Sequence, residues 1–200
     1  MAREVIWATP LYEFLRQCNA SPLDKVVLDC GAGGDSPPLS LFHQYGYKTY
    51  GVEIAEEALA KAQQFCKERA MPLNILRGDM RAIPFASASF GFVYSFNAIL
   101  FMTKPDIARA MSEMERVLKP DGLCFVNFES VDDPDNEPFC ETAPLRRLLQ
   151  SERFAKHDDN EADVYFRNYD ILHKEKRFRE WIHGGKQFKR VTVEYIAQKR

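Results

Sequence analysis

A glycine-rich turn after the first apolar run is the part of the sequence best suited to bind a ligand. Residues 26–29 (VVLD) are followed directly by Cys30-Gly31-Ala32-Gly33-Gly34-Asp35. Glycine lets the backbone turn tightly and approach a ligand with no Cβ in the way, and the N–H groups that open the next helix would face the same point. Since turns of this kind also carry glycines for packing alone, companion residues must support a binding site.

Acidic residues supply that support, because one ends each of three successive apolar runs. Asp29 ends the first run, Glu53 the second and Asp79 the third. The carboxyl ends of parallel strands meet at one edge of a sheet, and an acid about twenty residues after the glycines can accept both hydroxyls of a ribose. Helix capping is the alternative role for Glu53 and Asp79. Three acids at three consecutive strand ends favour a ligand site.

The elements that must position these residues alternate between strand and helix. Strands are predicted at 26–29, 47–53, 73–79, 90–96 and 123–128, and helices at 39–46, 55–70 and 105–122. This alternation predicts a parallel α/β sheet. Residues 171–198 break the pattern, because two long runs joined by a Gly-Gly turn predict an antiparallel hairpin.

A nicotinamide dinucleotide is the obvious competing ligand for the glycine-rich turn. Its fingerprint places a further glycine at the sixth position from Gly31, where this sequence has Ser36. Asp29 precedes the glycines, and its negative charge would repel a pyrophosphate but attract an ammonium group. The residues therefore favour a ligand that has a ribose and an ammonium group, such as the amino group of a methionine moiety, and no pyrophosphate.

Five segments, in order, resemble the motifs of the class I S-adenosylmethionine-dependent methyltransferases. They are VVLDCGAGGD, YGVEIAEEAL, GDMRAIPF, SFGFVYSFNAILFM and EMERVLKPDGLCFVNF, and they run from Val26 to Phe128. The sequence departs from the family at Asp35, where a third glycine is frequent. The resemblance implies a three-layer, Rossmann-like α/β fold, with a seven-stranded, mostly parallel sheet and an antiparallel C-terminal hairpin.

The resemblance also implies S-adenosylmethionine as the cofactor, with S-adenosylhomocysteine as its product. The implied cofactor-binding residues are Asp29, Gly31, Ala32, Gly33, Glu53, Ile54, Asp79, Met80 and Ser95. Glu53 would hold the ribose, and Asp79 with Met80 would hold the adenine. The implied activity is methyl transfer to a small-molecule acceptor, because the signatures of members that act on planar amino groups, cytosine or protein arginine are absent. The alternatives are a protein that binds S-adenosylmethionine without turnover and a nicotinamide-dependent oxidoreductase.

Catalytic side chains are harder to assign, because methyl transfer mainly requires that donor and acceptor be held in line in a dry site. Tyr12 is one candidate, since a helix ahead of the first strand could lie over the cofactor. His157, in an acidic segment, is the other. The alternatives are that the Tyr12 helix only packs on the sheet and that His157 flanks a helix. No spacing of His, Cys, Asp and Glu suggests a metal site.

Composition limits the class of protein. The 200 residues carry 27 basic and 29 acidic side chains, for a net charge of −2, which argues against a polybasic nucleic-acid or membrane binder. No apolar run approaches the ~18 residues of a membrane-spanning helix, the N-terminus lacks the apolar core of a signal peptide, and the five cysteines form no C-x-x-C pair. We expect one cytoplasmic domain over residues 1–200, with neither nucleic acid nor membrane as partner, and we leave the oligomeric state open.

The small net charge conceals two opposed regions. Residues 129–163 hold eleven acids and four bases, whereas residues 166–200 hold ten bases and four acids. We expect residues 1–22 to form an N-terminal cap and residues 129–165 to form a lid that favours neutral or cationic acceptors, although a solvated loop is the alternative for the acidic part. The basic region is interpreted as an edge strand kept soluble by Lys and Arg, with a docking face for an acidic partner as the alternative.

Overall fold

One mixed β-sheet organises the residues that this computed structural model describes, which are 9–134 and 154–200. Its strands are β1 (Val26–Cys30), β2 (Lys48–Glu53), β3 (Ile75–Arg77), β4 (Phe90–Ser95), β5 (Leu118–Ser130), β6 (Lys156–His157), β7 (Tyr169–His183) and β8 (Lys186–Lys199). The spatial order is β3-β2-β1-β4-β5-β8-β7, and the short β6 pairs with the end of β5. Strands β1 to β5 are parallel, whereas β8 is antiparallel to β5 and to β7. The predicted fold class is confirmed, and β6 is an addition to it.

Helices cover both faces of this sheet. They are α1 (Thr9–Ala20), α2 (Leu39–Gln44), α3 (Glu56–Glu68) and α4 (Lys104–Val117), with short 3-10 helices at Ile99–Phe101 and Glu161–Phe166. Val27 of β1 belongs to the apolar cluster that includes α1 and α2, whereas the adjacent Leu28 belongs to the cluster that includes α4. Since successive strand residues point to opposite faces, the two clusters lie on opposite sides of the sheet and produce three layers.

Helix α1 is held on the sheet by an aromatic cluster. Its buried residues, which repeat at helical spacing, are Pro10, Leu11, Phe14, Leu15 and Cys18. The ring of Phe14 lies 5.9 Å from that of Phe42, 6.0 Å from Tyr94 and 5.6 Å from Phe125. These contacts join α1 to α2, β4 and β5. Among the helices of the described residues, none combines the length and apolarity needed to cross a membrane.

Helix α4 also fixes the chain segment that follows β3. The helix is capped by the Thr103 side chain, which accepts a hydrogen bond from the Asp106 N–H, with a proline in the first turn. In its last turns, Arg116 donates to the carbonyls of Ile83 and Phe85 at 2.9 and 2.8 Å, and Glu113 accepts from the Ile83 N–H at 2.8 Å. These contacts of Arg116 and Glu113, which we call the clamp, hold the loop that follows Asp79.

The Lys-Pro-Asp-Gly segment at residues 119–122 differs from the prediction. The helix predicted over 105–122 includes this segment, but α4 ends at Val117 and β5 begins at Leu118. Leu118 pairs with Phe90 and Leu123 pairs with Phe92, so the intervening residues bulge out of a continuous strand. Asp121 at the bulge has a φ of 60°. Pairing on both sides of the bulge extends the strand beyond the predicted 123–128.

The acidic and basic regions of the chain meet each other at one edge of the sheet. Lys174 of β7 pairs with Asp163 at 2.6 Å, and Lys176 pairs with Asp159 at 2.5 Å and with Asp132. Strand β7 is the last strand in the sheet order, which agrees with the edge-strand interpretation of the basic region. The local charges therefore neutralise one another within the fold.

These ion pairs also bear on the predicted lid. Asp133, the next acid of the lid segment, is buried and accepts a hydrogen bond from the Val191 N–H at 2.6 Å. Four acids of this segment, Asp132, Asp133, Asp159 and Asp163, thus contact the hairpin, whereas Glu161 pairs with Lys104 of α4. Residues 135–153 of the predicted lid and residues 1–8 of the predicted cap lie outside the described residues.

We predict that Arg116→Ala lowers the free energy of unfolding by about 1–2 kcal/mol, because it removes charge-assisted hydrogen bonds to two carbonyls. Urea denaturation measures the effect. The matched control is Arg109→Ala on the same helix, where the side chain is 71% exposed and lies 3.6 Å from Asp106; this change should stay within about 0.5 kcal/mol. Equal losses for the two variants would contradict the clamp.

Candidate active site

The glycine-rich turn between β1 and α2 is shaped by close approaches that exclude larger residues. Gly31 has a φ of 103°, and a Cβ added to it would lie 2.2 Å from the Cβ of Ala98. A Cβ on Gly33 would lie 2.5 Å from Oε2 of Glu53. The N–H groups of Gly31 and Ala32 donate to the Val52 carbonyl at 2.9 and 3.0 Å. The turn is therefore bound against the end of β2.

Glu53, the last residue of β2, bridges two backbone segments. Its Oε2 accepts from the Gly33 N–H at 3.0 Å, and its Oε1 accepts from the Ala55 N–H at 2.8 Å, just before α3 begins. A carboxylate has about four acceptor positions, so two remain after these bonds. The side chain is thereby held in one orientation with capacity to bind a further pair of hydroxyl donors.

Asp79, which follows β3, is held by a neighbouring arginine. Arg81 donates through Nε and Nη2 to the Asp79 carboxylate, at 3.0 and 2.7 Å, and its Nη1 lies 3.1 Å from Asp106 in the first turn of α4. The Arg81 guanidinium holds the pKa of Asp79 below its ordinary value. Asp79 therefore stays ionised at the edge of the sheet, where the Arg81 N–H also donates to its Oδ1 at 2.8 Å.

These residues line a cleft of about 470 Å³ at the carboxyl ends of β1, β2 and β3, a volume within the usual range for small-molecule sites. We call it the cofactor cleft. Six of the nine residues predicted to bind the cofactor line it: Gly31, Gly33, Glu53, Ile54, Asp79 and Met80. Residues that sequence reasoning did not single out also line it, among them Arg81, Asn97, Phe101, Met102, Asp106 and Phe154.

The other three predicted residues, Asp29, Ala32 and Ser95, are buried behind the cleft wall and do not line it. Ser95 donates through Oγ to the Cys30 carbonyl at 2.8 Å and accepts from the Ile99 N–H at 3.2 Å. It therefore joins the ends of β1 and β4 and the 3-10 helix that follows β4. Ala32 packs in the apolar cluster of α1 and α2.

Asp29 lies buried beneath the turn. Its Oδ2 has no hydrogen-bond partner within the described chain. Burial raises the pKa of Asp29 to about 8, although the nearby Tyr94 hydroxyl opposes that change and Glu53 adds to it. At neutral pH the carboxyl group is therefore mostly protonated when the cleft holds no cation.

The two catalytic candidates do not line the cofactor cleft. Tyr12 is 39% exposed on α1. His157 is fully buried on β6, where its ring lies 5.1 Å from that of Phe128 and its Nε2 lies 3.3 Å from the Tyr165 hydroxyl. Burial lowers the pKa of His157, so the imidazole is neutral and packed as part of the core.

The structural role of Asn97 depends on a partner on another strand and could not be inferred from the sequence. It has a φ of 57°, a conformation that Asn tolerates better than most residues. Its N–H donates to Oδ1 of Asn127 at 2.8 Å, and Asn127 Nδ2 donates back to Oδ1 of Asn97 at 2.8 Å. The paired amides fix the chain after β4 at the end of the cofactor cleft. Among the described residues, no group of three or more His, Cys, Asp or Glu residues could hold a metal ion.

Comparison with known proteins points to one family. A family model described as a methyltransferase domain matches residues 28–126. The sterol 24-C-methyltransferase of Pneumocystis carinii is 26% identical over 163 residues, which are 76% of this chain and 41% of that protein. YqeM of Bacillus subtilis, named as a methyltransferase, is 31% identical over 138 residues, which are 64% of this chain and 52% of that protein. The chain spans about half the length, or less, of these curated relatives.

Solved structures share the fold at low sequence identity. A protein of Bacillus halodurans named as a methyltransferase superposes with a TM-score of 0.70 at 16% identity, covering 96% of this chain and 99% of that one. The 1,6-didemethyltoxoflavin-N1-methyltransferase of Burkholderia thailandensis, whose structure holds S-adenosylhomocysteine, superposes with a TM-score of 0.69 at 13% identity, covering 95% and 76%. These similarities show the fold.

We predict that Asp29→Asn changes the pH dependence of stability. The folded-state pKa of Asp29 is raised from 3.8 to about 8, so the native protein holds a proton that the unfolded chain releases. Stability associated with the protonated group is complete below pH 3.8 and is lost as the pH rises through about 8. Over that pH interval, the free energy of unfolding of the Asn variant should therefore rise relative to that of the wild type by up to about 1.4 kcal/mol per pH unit.

Denaturant unfolding at a series of pH values measures this difference. Asp24→Asn, just ahead of β1, is the matched control because the Asp24 side chain is 82% exposed, and it should produce no such trend. A difference between Asp29→Asn and the wild type that stays constant with pH would contradict the buried, protonated state.

Proposed function

Because this chain belongs to the class I S-adenosylmethionine-dependent methyltransferases, we propose that it transfers a methyl group from S-adenosylmethionine to a small-molecule acceptor. The observation that carries this proposal is the course of the cofactor cleft, which runs past Glu53 and Asp79 to Asn97 and there adjoins a second cleft. A donor bound along the first cleft would meet an acceptor held in the second.

The cofactor cleft offers complementary groups to the parts of S-adenosylmethionine. The free acceptor positions of Glu53 suit the two ribose hydroxyls, and the ionised Asp79 suits the amino group of adenine. The turn at Gly31 and Gly33 brings backbone close to the methionine end, where any Cβ would fill the space. Asp29 beneath the turn would favour a ligand that carries an ammonium group, since a cation nearby stabilises the ionised carboxylate.

When bound, the cofactor would supply a methyl group, and the electrons of the methyl–sulfur bond would stay on sulfur. A lone pair of the acceptor would form the new bond to the methyl carbon. Any proton on the accepting atom would then leave to solvent. The chain contributes position and exclusion of water. The rings of Phe101 and Phe154 meet at 5.7 Å on one wall, next to Met102, and the Asn97–Asn127 pair fixes the opposite end.

Of the two alternatives, the nicotinamide-dependent oxidoreductase loses its basis, because the matching family model is a methyltransferase domain. Cofactor binding without turnover would use the same residues. Incubation with S-adenosylmethionine and a panel of small-molecule acceptors, followed by assay of S-adenosylhomocysteine, separates the two. Acceptor-dependent formation of S-adenosylhomocysteine is the result we expect, and its absence across a broad panel despite tight cofactor binding would favour the binding protein.

We predict that Glu53→Gln weakens the binding of S-adenosylhomocysteine roughly tenfold or more, because hydrogen bonds to a charged acceptor contribute about 1.5–3 kcal/mol. Isothermal titration calorimetry measures the dissociation constant, and circular dichroism checks that the variant is folded. Glu56→Gln is the matched control, since Glu56 is exposed in the first turn of α3 and does not line the cleft. Neither the wild type nor either variant should bind NAD. Unchanged affinity in Glu53→Gln would count against the proposed ribose site.

A further inference from the structure

A second cleft, of about 240 Å³, adjoins the cofactor cleft at Asn97. Thr9 and Pro10, at the start of α1, form one wall, and Asn127 of β5 lies beside Asn97 in the floor. The remaining wall comes from the hairpin of β7 and β8. Because Asn97 is common to both clefts, a molecule in the second cleft would lie next to one in the first.

Arginine side chains determine the charge of this second cleft. Among the described residues, Arg177, Arg179 and Arg190 line it, together with one carboxylate from Glu194. Arg177 pairs with Glu194 and with Glu175, at 3.0 Å in each case, so its charge is balanced within the protein. Arg179 and Arg190 make no ion pair with any carboxylate of residues 9–134 and 154–200. Within the part of the chain that the structure describes, two guanidinium groups in this cleft therefore lack a carboxylate partner, and Arg179 also lies over the Trp181 ring at 5.8 Å.

The placement of Arg179 and Arg190 is electrostatically unfavourable without a partner. The two residues lie directly opposite each other in the register of β7 and β8, and like charges in that arrangement destabilise a sheet. Glu129 acts on Arg190, but burial raises the pKa of Glu129 to about 7, so at neutral pH it balances Arg190 only in part. An anion between the two guanidinium groups would remove the repulsion.

We propose that the second cleft binds the methyl acceptor and that Arg179 and Arg190 hold an anionic group of that acceptor, a carboxylate or a phosphate. The identification of the cleft as an acceptor site rests on the proposed function; the anion site rests on the two arginines alone. Guanidinium groups bind such anions through paired, charge-assisted hydrogen bonds. The bound anion would orient the rest of the acceptor toward Asn97 and the cofactor cleft.

This substrate class reverses the expectation drawn from the acidic segment. Acids of that segment, such as Asp132 and Asp163, are paired with lysines of the hairpin. Arginines of the same hairpin line the cleft, where the Glu194 carboxylate is paired with Arg177. The acceptor is therefore expected to carry a negative charge rather than to be neutral or cationic.

The test compares an anionic probe with a neutral probe of the same shape. Benzoate, benzamide and inorganic phosphate are titrated into the protein, with and without saturating S-adenosylhomocysteine, and binding is followed by NMR chemical-shift changes. We expect benzoate or phosphate to bind, and benzamide to bind roughly tenfold more weakly than benzoate, since it lacks the charge. Equal binding of benzoate and benzamide, or no binding of either anion, would overturn the proposal.

A double variant assigns the binding to these two side chains. Arg179→Gln with Arg190→Gln should weaken binding of the anionic probe roughly tenfold or more. Lys67→Gln with Arg167→Gln removes the same charge from exposed positions elsewhere and should leave binding unchanged. The Tm of the first double variant should stay close to that of the wild type, because removal of the like-charge pair offsets loss of the Arg179 contact with the Trp181 ring. Retained anion binding would contradict the proposal.

The two proposals fail separately in this design. Neither Arg179 nor Arg190 lines the cofactor cleft, so the double variant should bind S-adenosylhomocysteine with wild-type affinity. If the wild type did not bind S-adenosylhomocysteine, that result would count against the proposed function. The titration without S-adenosylhomocysteine would still test the anion site. Loss of anion selectivity with intact S-adenosylhomocysteine binding would count against the anion site alone.

Discussion

The carboxylate of Glu53 is the contact on which the arrangement of the site depends. It joins the glycine-rich turn after β1 to the start of α3 through the N–H groups of Gly33 and Ala55. The approach is so close that a Cβ on Gly33 would overlap the carboxylate, which explains why this position is glycine. Parallel pairing of β1 with β2 brings the two segments together. The same bonds fix the orientation of Glu53, which lines the cofactor cleft.

Much of this arrangement could be predicted because its signals are local. Asp29, Glu53 and Asp79 each end a short apolar run, and parallel strands must gather such ends at one edge of the sheet. The bulge at residues 119–122 could not be predicted, because it depends on pairing with Phe90 and Phe92 on another strand. Locally, its Pro-Asp-Gly pattern indicates only a turn.

The sequence also could not predict the role of residues that act through partners far away along the chain. Asn97 matters through its hydrogen bonds with Asn127, thirty positions later along the chain. Arg179 and Arg190 matter because the hairpin register sets them opposite each other. The same register gives the charge asymmetry of the chain a structural meaning: lysines of β7 meet the acids of the preceding segment, whereas two arginines remain for the second cleft. Composition alone could indicate the asymmetry but not this division.

A crystal structure of the protein with S-adenosylhomocysteine bound would show directly which residues hold each part of the cofactor. We expect both ribose hydroxyls within hydrogen-bonding distance of the Glu53 carboxylate, about 2.5–3.0 Å. We also expect the adenine amino group at Asp79 and the sulfur directed toward Asn97. Density for the ligand elsewhere, or in this cleft with the ribose out of reach of Glu53, would contradict the proposed cofactor site.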